Sequence, residues 1–171
     1  MKKLFLTVFA VLAIGMTSNQ VFAQTAPTGD LLATLSANSD YNVMAAAIRA
    51  ANLGATVKGA GPYTIFAPNN LAFSNIPSDK LDAIWSPATL ATVIKGHIVT
   101  GKYDKAAILA QLRATGKASL TTLDGKTITL GVNEAKNLVL TDSDGNKVKV
   151  VAFDILGTNG VIIGVDGLLT K

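Results

Sequence analysis

The chain has 171 residues, 49% of them hydrophobic and 15% charged, with one histidine and no cysteine. Without cysteine there are no disulfides, no thiolate metal site and no lipoprotein anchor, so an apolar core has to hold the fold. The 15 Lys and Arg against 11 Asp and Glu are scattered singly, which argues against a nucleic-acid partner, since that needs a basic stripe.

Residues 1–23 read as a secretory signal. Lys2 and Lys3 begin it, residues 4–14 are apolar apart from Thr7, and Val21-Phe22-Ala23 offers small-residue cleavage near Ala23. The apolar stretch is well short of the roughly 20 residues a spanning helix needs, and no stop-transfer charges follow, so no stable membrane anchor is expected. Cleavage removes half of the formal charge of +4, and with it most of the case for an anionic partner. Residues 24–29 are read as a flexible leader and 30–171 as one domain, long enough to bury a real core.

Leu31, Leu32 and Leu35 predict a short helix starting near Asp30. Val43, Met44, Ala47, Ile48 and Ala51 share a face at helical spacing, with Asp40 as the expected cap and Gly54 as the expected stop. Gly59, Gly61 and Pro62 predict a turn. Residues 63–66 then read as a strand ended by Pro68, and Asn69 caps a helical turn carrying Leu71, Ala72 and Phe73. A further helix opens at Ser78 and turns Leu81, Ile84 and Trp85 inward. Ser86 and Pro87 start the next, whose inner face is read as Leu90, Val93, Ile94 and His97. Residues 104–112 form a weaker helix stopped near Gly116.

Past Gly116 the apolar period changes. Ile128, Leu130 and Val132 alternate with polar neighbours after a hairpin signal at Asp124-Gly125. Leu138 and Leu140 lead to a turn at Asp142-Ser143-Asp144-Gly145. Val148 and Val150 alternate, then Val151, Phe153 and Ile155 continue on the opposite phase, which predicts a bulge near Val150. Asn159-Gly160 is the last turn and residues 161–165 the last strand. Helices crowd the first half and antiparallel strands the second, so the expected class is α+β.

Little in the chain points to catalysis. His97 has no G-x-S-x-G partner motif, and its apolar helix face favours a buried, hydrogen-bonded role. Glu134 and most aspartates fall at turns and caps, where backbone bonding explains them. Asp142-x-Asp144-x-Asn146 begins like a calcium loop, but Lys147 replaces the glycine and Phe153 the bidentate glutamate, so a hairpin turn is expected. The Gly59–Gly61 pair lacks the lysine and helix of a phosphate loop. No cofactor is expected.

Three segments, in order, resemble the fasciclin (FAS1) domain family. Thr64-Ile65-Phe66-Ala67-Pro68-Asn69-Asn70-Leu71-Ala72-Phe73 looks like its first box. Gly96-His97-Ile98-Val99-Thr100-Gly101-Lys102-Tyr103 looks like its central segment. Asn159-Gly160-Val161-Ile162-Ile163-Gly164-Val165-Asp166-Gly167-Leu168-Leu169 looks like its second box. The resemblance implies a wedge-shaped β-sandwich with helices packed around one edge. It also implies a secreted or periplasmic, non-enzymatic module that contacts a cell-surface or extracellular matrix protein or a polysaccharide. An alternative it raises is a carrier of a small apolar ligand such as a carotenoid. His97, Ile98, Val99 and Tyr103 are the binding residues it implies. Thr64, Phe66, Pro68, Asn69, Asn70, Phe73, His97, Asn159, Gly160, Val161 and Asp166 are the structural ones. The His97 ring is expected to bond the first box near Asn69 or Asn70. The position before the histidine, commonly tyrosine in the family and linked in animal members to integrin binding, is Gly96, so that contact does not carry over.

Overall fold

The computed structural model describes residues 26–169. The expected signal at 1–23, with the first two residues of the leader, lies outside the described residues.

The leucine triplet forms α1 (Leu31–Ala37), and the Asp30 carboxylate caps it by accepting the Ala33 amide. In α2 (Asn42–Ala50), Met44, Ala47 and Ile48 are buried as their spacing predicts. Asp40 does not cap it, however, and Tyr41 at the cap position makes no side-chain bond. The cap comes from the first box instead, because Asn70 Oδ1 accepts the Val43 amide at 3.2 Å. Gly54 is not the stop. The chain leaves α2 through Asn52 at φ 58°, and Gly54 opens α3 (Gly54–Lys58). That helix escapes a sequence reading because a single turn with one inward residue, Val57, has no period to detect.

Next come β1 (Tyr63–Pro68) and α4 (Asn70–Ser74), with Asn69 accepting the Ala72 amide at 2.8 Å as expected. Helices α5 (Ser78–Ile84) and α6 (Pro87–Lys95) follow. Ser78 is the first residue of α5, and Pro77 holds the cap position. Ser86 holds the cap position of α6 but bonds the Thr89 hydroxyl rather than a backbone amide. Because α6 ends at Lys95, His97 lies beyond it, at the entry to β2 (Ile98–Thr100). Helix α7 (Lys105–Thr115) runs from an Asp104 cap to Gly116, which takes the left-handed φ of 77° that stops it.

The remaining strands are β3 (Ala118–Thr121), β4 (Thr127–Val132), β5 (Leu138–Thr141), β6 (Lys147–Gly157) and β7 (Gly160–Val165). The sheet order is β2-β1-β7-β6-β5-β4-β3. Among the described residues only β1 and β7 pair in parallel. The two edges nearly meet: Val99 bridges Thr122, and the Leu123 amide donates to the Ile98 carbonyl at 2.8 Å. The fold is thus α+β, a nearly closed mixed sheet with helices packed around it.

The predicted bulge is real but double. The β6–β7 register slips between Val150 and Ala152 and again between Ala152 and Ile155. Asp154 has φ 56° within this stretch. Val151 consequently faces solvent instead of the core.

The core has two halves divided by the sheet. Ile65 and Ile162 pack with the helices, against Leu31, Leu35, Met44 and Ile48. Phe66 and Ile163 face the other way, among Val99, Ile108, Leu130 and Leu140. Alternate side chains of β1 and β7 therefore feed opposite cores, which is why residues 65–67 and 161–163 read as continuous apolar runs.

Candidate binding site

Polar side chains of the three boxes bond the backbone of neighbouring segments. Thr64, fully buried, donates its hydroxyl to the Gly101 carbonyl at 2.7 Å and accepts the Tyr103 amide at 2.9 Å. Asn70, besides holding Val43, donates to the Ser39 carbonyl at 2.7 Å. Asn159 accepts the Leu31 amide at 3.0 Å and donates to the carbonyls of Val57 at 2.7 Å and Gly59 at 2.8 Å. It thereby ties α1, α3 and the last hairpin together. Gly160 follows because a Cβ there would collide with the Tyr63 carbonyl oxygen across the parallel pair. Asp166 accepts the Lys149 amide at 2.7 Å and pairs with the Lys149 ammonium at 3.5 Å. Pro68, Val161 and Phe73 are buried, and Phe73 lies 6.5 Å from the Trp85 ring centroid.

His97 is fully buried. Its Nδ1 lies 2.9 Å from the Val93 carbonyl, and the Leu169 amide donates to its Nε2 at 3.0 Å. A carbonyl can only accept and an amide can only donate, so Nδ1 carries the proton and the ring is neutral. Burial pushes its pKa below the ordinary value, opposed by the Val93 bond and by the charges of Asp124 and Asp142. The ring does not reach Asn69 or Asn70 as expected. It joins the end of α6 to the C-terminal segment, and only its backbone carbonyl meets the first box, accepting the Phe66 amide at 2.8 Å.

Of the four expected binding residues, His97, Ile98 and Val99 are buried to 0%, 0% and 1% exposure. A partner reaches none of them without opening the fold, which leaves the half-buried Tyr103 accessible. Asp142 is committed to its own turn, accepting the Asp144 and Asn146 amides at 2.9 and 2.8 Å. Among the described residues no three His, Cys, Asp or Glu gather to hold a metal.

One feature escaped the sequence reading. A cleft of about 110 Å³ opens between α6, the β3–β4 turn and the C-terminal segment. Ile84, Val93, Ile128 and Leu169 form its apolar walls, and Asp124, Lys126, Asp142 and Asp144 line its rim. Its sequence signal was the bare Gly96, read there only as a missing tyrosine. A shallower groove of about 450 Å³ shares Ile84 and Thr89 with it and continues past Ile76, Lys80 and Leu168. No helix among the described residues is long and apolar enough to cross a membrane.

The family model for the fasciclin domain matches residues 39–171. Protein sll1483 of Synechocystis sp. is 30% identical over 135 residues, spanning 77% of this chain and 68% of that protein. Transforming growth factor-beta-induced protein ig-h3 of Sus scrofa is 31% identical over 143 residues, 83% of this chain but 19% of ig-h3. Among solved structures, a FAS1 domain pair from the insect cell adhesion molecule Fasciclin I superposes with a TM-score of 0.72 at 16% identity. That match covers 85% of this chain and 52% of the other.

Proposed function

The chain belongs to the fasciclin-domain family, and from that premise we propose that it is an exported, non-catalytic binding module acting in adhesion or in contacts with cell-surface or extracellular matrix proteins or polysaccharides. The observation that carries the reading is the fate of the lone histidine. It is the one side chain whose ordinary pKa suits a general base near neutral pH, and both its ring nitrogens are spent on backbone groups inside the core. The box side chains that could have assisted it hold turns and caps instead. The likeness to an insect cell adhesion molecule agrees with a contact role. Export rests on the signal pattern of residues 1–23. Purified protein lacking that segment should bind its own cell envelope or extracellular polysaccharide above a control protein of similar charge. Binding to neither would sink the proposal.

The carrier reading finds less support. The Gly96 cleft, at about 110 Å³, falls well below the roughly 300 Å³ at which pockets begin to enclose a drug-sized ligand. The adjoining groove of about 450 Å³ reaches that size but lies open, so a carotenoid would have to lie along it. A visible absorption band in protein purified from its native host would favour it.

A further inference from the structure

We propose that the cleft at Gly96 is the anchor socket of this module and takes one arginine side chain of a polypeptide partner. The aliphatic stem packs against Ile84, Val93 and Leu169, and the guanidinium meets Asp124. This rests on the reading of the domain as a binding module and adds the chemistry of the partner.

Size sets the class of occupant. A cleft of about 110 Å³ is far smaller than a typical ligand pocket, so it encloses no more than the apolar stem of one side chain and leaves that side chain's head at the rim. It suits a single side chain. Gly96 lines the cleft and puts no side chain into it. Gly96 has φ −65° and ψ −15°, ordinary helical values that any residue adopts, so the backbone does not demand glycine there. A Cβ at this position would stand 3.3 Å from the Val93 carbonyl oxygen and 3.6 Å from Asp124 Oδ2, so a side chain entering beside Gly96 meets a carboxylate.

Charge sets the chemistry. Three aspartates and one lysine line the rim. Asp142 is held by its own turn, and Asp144 pairs with Lys126 at 3.5 Å. Asp124 Oδ1 accepts the Thr122 hydroxyl, while Oδ2 accepts no hydrogen bond among the described residues. A wholly apolar occupant would strip water from that oxygen and return nothing. A side chain with an apolar stem and a cationic head satisfies both the walls and the rim. Arginine fits better than lysine, because its planar guanidinium is weakly hydrated and pairs a carboxylate with fixed geometry. The adjoining groove past Ile76 and Leu168 gives the residues flanking the arginine a place to lie.

The test is a titration of isotope-labelled protein, followed by amide chemical shifts, with acetyl-Ala-Arg-Ala-amide and with the same peptide carrying citrulline for arginine. The arginine peptide should shift the amides of Thr92, Gly96, Asp124 and Leu169 saturably, and citrulline should bind at least about tenfold more weakly. Gly96→Leu, which fills the socket, and Asp124→Asn, which keeps an acceptor for Thr122, should each weaken arginine binding by at least about tenfold with little change in melting temperature. Equal response to citrulline, or binding untouched by Gly96→Leu, would overturn the socket. Envelope binding separates the two readings. Wild-type protein that binds envelope while the peptide leaves the cleft unshifted overturns the socket alone. Wild-type protein that binds no envelope overturns the binding-module reading, and the peptide titration still decides the socket.

Discussion

His97→Ala removes a ring that is fully buried and bonded at both nitrogens. Two costs add. The Leu169 amide, buried against the ring, loses its acceptor, a desolvation penalty of about 1–3 kcal/mol. The emptied ring volume adds a cavity term of about 1–2 kcal/mol, below the range for deleting a larger buried side chain. The total is about 2–5 kcal/mol. For a domain of this size each kcal/mol moves the melting temperature by about 3–4 °C, so the expected drop is about 6–20 °C. Thermal unfolding followed by circular dichroism, with urea titration for the free energy, measures both. His97→Gln should recover part of the loss, because its side-chain carbonyl can accept the Leu169 amide. A His97→Ala melt within 2 °C of wild type, an order-of-magnitude threshold below any reading of that range, would refute the view that this ring binds the C-terminal segment to α6.

The same residue makes stability depend on pH. Burial holds the folded-state pKa of His97 below its ordinary value, so at falling pH the unfolded chain takes up the proton first. Its contribution is therefore complete above about pH 6.5 and lost as pH falls from there toward the folded-state pKa, with a slope of at most about 1.4 kcal/mol per unit. Melting curves between pH 7.5 and 5.5 should show this slope in wild type and a shallower one in His97→Gln. Asn159→Ala breaks three bonds, to α1, to α3 and to the residue after α3, and should cost about 2–4 kcal/mol in urea unfolding. Asn70→Ala removes the cap that α2 borrows from the first box. It should cost about 1–2 kcal/mol by the same measurement, with hydrogen exchange quickening at Val43 before the sheet.

Most of the elements were legible in the chain. Asp30, Asn69 and Asp104 cap the helices that follow them, and Gly116 ends α7, because a cap acts within three or four residues. Alternation located β4, β5 and the phase slip in β6, because a strand with one buried face writes its period into the sequence. The candidate site was harder to read. His97 was expected on the face of α6 and at the first box, yet the helix stops two residues earlier and the ring turns to Leu169. The choice between Asn70 and Leu169 as partner is made by how the chain folds back from 72 residues away.

By itself, then, the sequence determined the α+β class, the family, the box residues and the need for an apolar core in a chain without cysteine. These follow from composition and from interactions a few residues in range. Only the tertiary structure decided which distant groups meet. It set Asn70 on α2, paired β1 with β7 in parallel and brought Val99 to Thr122 to nearly close the sheet. It also buried three of the four expected contact residues and opened the cleft beside Gly96. A hydrogen bond or a cavity between segments far apart in the chain depends on the packing of every element between them, and no local pattern records it.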